Sequence, residues 1–408
     1  MDPNLAAVAS PRRFLPAGQL SPWIALILVV AIGMNIRAIF GVTPPLIPLI
    51  SDDLGLSGTT ASLLTALPVL AMGLCAPLGH ALTTKIGADW AMISLFVVLG
   101  LAELSRLLIA TAVPLILTAG LIGGALGAIS TLAPAFISHH LPRFRGLATG
   151  LYSTSMALGV ALAAGTARPV TDVLGGWRVA LAVWGGAALL LVLALLMVRA
   201  RGARMPANVG PPGRISLPLR ERRAWFVTAV YAVPMFLGFG VIAWLPSLFI
   251  EVGRSPTTAA GYLVLFQLVQ LLSMLTLTPL TDRVPGRRGV FATAMLASTV
   301  GLLLLTVAPR EAAVPGLLLA GFGIGGASSL ALVKVQDEAV SPQDATRLSS
   351  MAMLFSFTAG ATGPFLMGAL KDLTGSLVPG FGLCLLVSVL SLSLLIRMHP
   401  AHRQAGAH

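Results

Sequence analysis

The sequence predicts an all-α membrane protein with twelve transmembrane helices in two parallel six-helix halves. Three observations lead to this fold class: an apolar composition, twelve long and nearly uncharged stretches, and an internal repeat with an offset near 200 residues. Of the 408 residues, 56% are hydrophobic and only 10% are charged. Soluble domains carry roughly 25% charged residues, so a soluble fold is excluded.

A membrane-spanning helix needs about 20 apolar residues. Prolines at 44 and 48 predict a bend in the first stretch. The Pro/Gly-rich, basic segment 199–223 predicts a linker between an N-terminal half at 23–198 and a C-terminal half at 224–397, with tails at 1–22 and 398–408. The twelve stretches are centred on 23–49, 57–79, 88–111, 114–138, 146–168, 178–198, 225–250, 258–280, 289–308, 313–337, 345–370 and 376–397.

The two halves repeat each other in sequence. "PLISDDLGLSGTTA", from Pro48, aligns without a gap with "PSLFIEVGRSPTTA", from Pro246. Further on, the glycine pair 123–124 aligns with the pair 325–326 at nearly the same offset. Parallel halves of this kind are related by an axis along the membrane normal and place a substrate site at mid-depth between them.

The net charge of +12 comes from arginines and lysines that cluster in short connectors, which excludes nucleic-acid binding. If the N-terminus is cytoplasmic, nineteen of these residues lie on the cytoplasmic side, five lie on the other side, and Arg37 and Arg106 lie within spans. The positive-inside rule therefore predicts cytoplasmic termini, and we expect a multi-pass protein of a bacterial inner membrane.

The sequence lacks the motifs of an energy-converting or metal-dependent enzyme. None of the three lysines follows a glycine or precedes Ser or Thr, so no phosphate-binding loop exists, and H-E-x-x-H is absent. The two cysteines, Cys75 and Cys384, lie in apolar spans and form no zinc or redox motif. We expect no enzymatic activity, no cofactor and no metal, which leaves secondary transport.

The connector "PLTDRVPGRRG", residues 279–289, resembles the signature loop of the major facilitator superfamily between the second and third helices of a half. Its charges could hold helix ends together in one access state; a solvated positive loop is the alternative. The first-half counterpart has Thr83 where the family has an acid. With the repeat-related arginines, the predicted gating residues are Asp282, Arg283, Arg287, Arg288, Arg145 and Arg347.

A closer resemblance is to the cyanate/2-nitroimidazole permease branch of this superfamily. It rests on "NIRAIF", "TGLYSTSMALG", "GGWRVALAVW", "IAWLPSLFIEVG" and "GALKDLTG". The resemblance implies the major facilitator fold and a small, polar, often anionic solute. Where the branch usually has polar side chains, this chain has Pro234, Phe239 and Met353. The second half of the pocket is therefore expected to be less polar.

Arg37 is the main candidate for substrate binding. It lies about 14 residues, or about 21 Å, inside the first span, too deep to reach the interface easily. One interpretation is that it faces the central cavity and binds an anion. The alternative is that it pairs with Glu103 or with backbone carbonyls.

Four other polar residues are further candidates for substrate contact: Asn35, Tyr152, Gln267 and Gln270. Asn35 lies on a different face of the first helix from Arg37 and could instead bond a neighbouring helix. Tyr152 could donate a hydrogen bond into the cavity or serve in packing. Gln267 and Gln270 share one face of the eighth helix. Trp244 is expected in the interfacial aromatic belt.

Glu103 is the candidate for proton coupling, because it is the only acidic residue deep in a span. Arg106 follows three residues later, so a structural ion pair is the alternative. The predicted function is a monomeric secondary transporter of a small anionic or polar organic solute, with the lipid bilayer, the solute and protons as partners. Alternatives are an exporter of more apolar compounds and a sensor that transports nothing.

Overall fold

The computed structural model describes residues 20–202, 205, 217–283 and 287–396, apart from the side chains of 281–287, 342–343 and 394–396. These residues form thirteen α-helices, of which the first two are parts of one interrupted segment. In chain order the helices are α1 Pro22–Val42, α2 Ile47–Leu54, α3 Gly58–Ile86, α4 Ala88–Ser105, α5 Ala112–His140, α6 Arg145–Leu174, α7 Trp177–Ala200, α8 Arg222–Glu251, α9 Pro256–Arg283, α10 Arg287–Val307, α11 Ala313–Asp337, α12 Pro342–Thr374 and α13 Val378–Ile396.

Eleven segments of the described chain are long and apolar enough to cross a membrane. A twelfth, in α13, is apolar over Val378–Ser393 and shorter. All twelve coincide with predicted stretches, so the all-α membrane fold is confirmed. The predicted linker 199–223 contains the connection between α7 and α8, the last two residues of α7 and the first two of α8. Its residues 203, 204 and 206–216 lie outside the described chain, as do residues 1–19 and 397–408.

The first membrane segment is interrupted by prolines, as the sequence predicted. Helix α1 ends at Val42, a 3-10 turn covers Pro44–Leu46, and α2 starts at Ile47. Proline has no backbone N–H and disrupts the hydrogen bonds of the preceding turn, so consecutive prolines break a helix. The break leaves Arg37 in the last two turns of α1.

The internal repeat is visible in how each half fastens its sixth helix. Asp53 accepts hydrogen bonds from the indole of Trp177, at 3.2 Å, and from the guanidinium of Arg178, at 2.9 Å, at the start of α7. The residue aligned with Asp53 is Glu251, which accepts hydrogen bonds from the Ser376 hydroxyl and the Leu377 N–H immediately before α13. One acidic position therefore anchors the equivalent helix in both halves.

Glycines at aligned positions allow neighbouring helices to touch through their backbones. A Cβ on Gly123 of α5 would lie 2.3 Å from the carbonyl oxygen of Pro68 in α3. A Cβ on Gly325 of α11 would lie 2.6 Å from the carbonyl oxygen of Gln270 in α9. Small residues that permit such contact are typical of helix pairs in membranes.

The two halves meet tightly at one end of the helix bundle, which we call the closed end. It is formed by Gly58 and Thr59 at the start of α3 and by Gly368 and Asp372 near the end of α12. A Cβ on Gly368 would lie 2.4 Å from the Gly58 carbonyl oxygen. At the opposite end, residues 143–147 at the start of α6 are exposed. The structure is therefore closed between the halves at the end where Asp372 lies.

Candidate functional site

Arg37 lies where α1 of the first half meets α8 of the second half. Its guanidinium carbon is 5.8 Å from the centroid of the Phe40 ring and 5.6 Å from that of the Phe239 ring. The two rings contact each other, with centroids 5.3 Å apart. A guanidinium at this distance from an aromatic face is attracted by the ring quadrupole. The charge therefore sits against rings from both halves.

Arg37 has no acidic partner in the part of the chain that the structure describes. The ion pairs between described residues do not include it, so the alternative pairing with Glu103 is not observed. Its electrostatic neighbours are the hydroxyl groups of Tyr152 in α6 and Tyr231 in α8. The residue as a whole is half-buried.

Close packing of α1 against α6 brings Tyr152 to Arg37. A Cβ on Gly33 would lie 2.0 Å from the hydroxyl oxygen of Ser155, so only glycine fits there. The Ser155 hydroxyl donates to the carbonyl oxygen of Tyr152, at 2.8 Å. The phenol of Tyr152 also interacts with the hydroxyl of Ser130. These contacts fix the first-half side of the site.

Tyr231 is the site residue that sequence reasoning missed. It is buried in α8, and it provides a hydroxyl from the second half opposite that of Tyr152. One signal could have found it: Tyr231 precedes Phe239 by eight residues, a spacing of about 80° around the helix, which falls within the width of one amphipathic face. We call Arg37, Phe40, Tyr152, Tyr231 and Phe239 the Arg37 cluster.

The second half lines this region with apolar side chains. Phe239 contacts Phe357 of α12, with ring centroids 6.2 Å apart, and Phe357 packs beside Gly73 of α3. Phe239 is one of the positions where the resemblance leads one to expect a polar side chain. The other two such positions are Pro234, which is buried, and Met353, which is 42% exposed.

Among the described residues, no hydrogen bond joins Arg37 to Asn35, Gln267 or Gln270. The Asn35 amide donates to the carbonyl oxygen of Ala31 in its own helix, at 2.9 Å. Gln267 is buried with its side-chain oxygen unpaired, whereas Gln270 is partly exposed. Substrate contact by these three residues stays a prediction.

Glu103 and Arg106 are both buried, at 3% and 2% exposure, and the ion pairs between described residues do not include them. The Arg106 guanidinium donates instead to the Thr118 hydroxyl, at 3.4 Å. One carboxylate oxygen of Glu103 is buried without a hydrogen-bond partner, although Arg106 still acts on it electrostatically. Glu103 packs beside Gly185 of α7, away from the Arg37 cluster.

Only part of the predicted gating set is described. The side chains of Asp282, Arg283 and Arg287 lie outside the described residues, and Arg288 is exposed. Arg145 is exposed and donates to the Ser138 carbonyl oxygen, at 3.4 Å. Arg347 pairs with Glu221 of its own half, at 3.9 Å. The gating role stays a prediction.

Trp244 corrects one expectation. It was expected in the interfacial belt, but its side chain is fully buried and its indole N–H donates to the Pro364 carbonyl oxygen of α12, at 2.9 Å. Lys371 lies 5.3 Å from its ring centroid. The buried indole therefore joins α8 to α12 within the second half.

Comparisons with known proteins agree with this architecture. A family model described as Major Facilitator Superfamily matches residues 24–364. The chain is 32% identical to the uncharacterized transporter YycB of Bacillus subtilis (strain 168), over 85% of this chain and 86% of that protein. Two proteins of Escherichia coli (strain K12) are also similar. Identity is 31% to the 2-nitroimidazole transporter and 28% to the cyanate transport protein CynX, covering 88% and 86% of this chain and 91% of each relative.

Among solved structures, the D-xylose-proton symporter aligns with a TM-score of 0.76 at 15% identity. The alignment covers 93% of this chain and 98% of that chain. At this level of identity the similarity supports the fold alone.

Proposed function

Since the chain belongs to the major facilitator superfamily and is a multi-pass membrane transporter rather than an enzyme, we propose that it moves a small anionic or polar organic solute by alternating access. Arg37 is the anchor for the solute. The proposal includes a bacterial inner membrane as the location, cytoplasmic termini and a monomeric working unit.

The observation that carries the proposal is the isolated charge of Arg37. A charged side chain inside a membrane segment costs at least a few kcal/mol unless it is compensated. Arg37 contacts two aromatic rings, and the described residues give it no carboxylate. An anionic solute would supply the missing counter-charge, and Tyr152 and Tyr231 would each offer a hydroxyl from an opposite half.

The names of two relatives agree with such a solute. One is a cyanate transport protein, and the other is a 2-nitroimidazole transporter. Both names refer to small, polar compounds. The rings of Phe40, Phe239 and Phe357 favour a solute that presents a flat or apolar face beside its charged or polar group.

A second candidate function, export of a more apolar compound, is favoured by the same three rings. Such a compound would occupy the aromatic side of the site but would leave Arg37 without a counter-charge. Matched compounds separate the two functions. Benzoate and benzamide are similar in shape and differ in charge, so an anion carrier prefers benzoate and an exporter of apolar compounds prefers the neutral amide.

The test is solute flux into vesicles that contain the purified protein. Cyanate, 2-nitroimidazole and benzoate are first screened by thermal unfolding, because a ligand that binds the folded protein raises its apparent stability. With the best solute, Arg37→Ala is expected to lower uptake about tenfold or more, since a charge-assisted hydrogen bond contributes about 1.5–3 kcal/mol. Arg37→Lys is expected to retain part of the uptake.

The three tyrosines provide a matched control for this assay. Tyr152→Phe and Tyr231→Phe each remove a hydroxyl next to Arg37 and are expected to weaken uptake severalfold. Tyr262→Phe removes a hydroxyl from a ring packed on Phe249, 4.5 Å away between centroids, and is expected to leave uptake unchanged. Full uptake by folded Arg37→Ala protein would refute the anchor. Ligand binding without any flux would identify a sensor.

A further inference from the structure

Asp372 joins the two halves at the closed end through three hydrogen bonds. Its carboxylate accepts from the Gly58 N–H at 2.5 Å, from the Thr59 N–H at 2.8 Å and from the Thr59 hydroxyl at 2.6 Å. The donors begin α3 in the first half, whereas Asp372 lies in the last turn of α12 in the second half. The contact therefore spans the interface that must open in alternating access.

Several physical factors strengthen these hydrogen bonds. The first N–H groups of a helix have no partner inside the helix, and they form the positive end of its dipole. A carboxylate that accepts them makes charge-assisted hydrogen bonds, which are stronger than neutral ones. The approach is possible because a Cβ on Gly58 would lie 2.7 Å from the Gly368 carbonyl oxygen. Only a glycine pair lets the two backbones come this close.

The related crossing of the other two helices lacks this contact. Asp172, near the end of α6, matches Asp372 at an offset of 200 residues, and the start of α9 is related to the start of α3 by the repeat. Between described residues, Asp172 forms no hydrogen bond to α9, and its side chain is exposed. Pro256 stands where the repeat has Gly58. Proline has no N–H, so the paired backbone donors cannot form there.

We propose that Asp372 is a latch that holds the closed end shut, and that release of its bonds to Gly58 and Thr59 opens this end during transport. The proposal rests on the proposed function, because alternating access gives the opening its purpose. Asp372 acts as a positioning residue: it sets the balance between the two access states and does not contact the solute at the Arg37 cluster. Because Asp172 makes no such contact, this role belongs to the crossing of α3 with α12 and not to the crossing of α6 with α9.

The test measures the distance between the halves at the closed end without any ligand. Thr111 and Glu311 are exposed residues in the equivalent connections before α5 and α11, both at this end. Both are changed to cysteine for spin labelling, after Cys75→Ala and Cys384→Ala remove the native thiols. Pulsed electron resonance then gives the distribution of distances between the two labels in the full-length protein.

Asp372→Asn keeps the shape of the side chain but removes the charge. We expect it to raise the fraction of molecules with a longer Thr111–Glu311 distance at least threefold. Thr59→Val removes only the hydroxyl donor, so a smaller shift in the same direction is expected. Asp172→Asn is the matched control, and its distribution should superimpose on that of the unmodified protein.

The proposal is overturned if folded Asp372→Asn gives the unmodified distribution, or if Asp172→Asn shifts it equally. If Asp372→Asn does not fold, Thr59→Val decides, because it leaves both backbone donors and the carboxylate in place. No solute is present, so failure of the latch is distinct from failure of the anion anchor. Loss of flux in Arg37→Ala with a normal distance shift in Asp372→Asn would separate the two roles.

Discussion

The electrostatic environment of Arg37 depends on its neighbours as much as on its own charge. The sequence shows that it is deep in a span, and the structure surrounds it with Phe40, Phe239 and two tyrosine hydroxyls. Aromatic faces partly compensate a cation without neutralising it. The charge of Arg37 is therefore available to the anionic solute that we propose, in contrast to a salt bridge, in which the charge is already paired.

Glu103 and Arg106 differ from Arg37, because each is buried and interacts electrostatically with an opposite charge, although the two form no close ion pair. Ionisable groups inside membrane segments form the proton relays of pumps and transporters. Glu103 keeps one carboxylate oxygen buried and unpaired, so we retain it as the proton-coupling candidate. Because Glu103 lies beside α7, we expect protonation of Glu103 to affect Arg37 through movement of helices and not through direct contact.

Glu103→Gln is expected to abolish uptake driven by a pH gradient while solute exchange between the two sides of the vesicle persists. An amide cannot take up a proton as the carboxylate does, whereas exchange requires no net proton movement. Both fluxes are measured in the same vesicles, with Glu311→Gln in an exposed loop as the control. Gradient-driven uptake at the unmodified level in Glu103→Gln would assign Glu103 to a structural partnership with Arg106.

At the scale of the helices, glycine positions decide which elements touch. Helix α1 packs on α6 through Gly33, Gly41 and Gly159, and the contacted atoms include backbone carbonyls that cannot move aside easily. This crossing holds Arg37 and Tyr152 next to each other. Its stability should therefore be sensitive to the smallest added side chain.

Gly159→Ala would place a Cβ 2.4 Å from the carbonyl oxygen of Met34, one helical turn before Arg37. Overpacking of this kind typically costs about 1–3 kcal/mol, so we expect a lower midpoint of thermal unfolding and weaker uptake. Gly186→Ala is the control, because nothing lies within 4 Å of its added Cβ. Alanine there should stabilise α7 by about 0.5–1 kcal/mol. Equal midpoints for both variants would contradict this account of the crossing.

At the scale of the whole molecule, two similar halves are joined unequally. Asp53 and Glu251 show that the repeat is retained in structure, since each fastens the start of the sixth helix of its half. Asp372 and Asp172 show where it is not retained. At the closed end, α12 is therefore bonded to α3, whereas between described residues Asp172 of α6 forms no hydrogen bond to α9.

The orientation of the molecule follows from its charge distribution and can be tested directly. With nineteen basic residues on one side and five on the other, both termini are expected in the cytoplasm. A green fluorescent protein fused after His408 should fluoresce in bacteria, because it folds in the cytoplasm. Alkaline phosphatase fused at the same position should be inactive. An active phosphatase fusion would reverse the orientation.

The sequence by itself determined the membrane class, the number of spans, the two-half repeat and the depth of Arg37. These properties depend on local composition, because hydropathy is summed over about 20 residues and two consecutive prolines interrupt a helix. The interruption at Pro44–Leu46 was accordingly predictable from the chain alone. The apolar side chain at Phe239 was expected in the pocket only through the resemblance to known permeases.

Only the tertiary structure decided what surrounds each polar group. Tyr231 joins Arg37, Trp244 turns inward to the Pro364 carbonyl oxygen, and Asp372 reaches Gly58 across 314 residues of chain. Each of these contacts joins helices that are distant in sequence, so it depends on how whole helices pack and not on local pattern. Asp172 and Asp372 occupy equivalent positions in the repeat, and the packing of α12 on α3 shows that Asp372 binds the two backbone donors of Gly58 and Thr59.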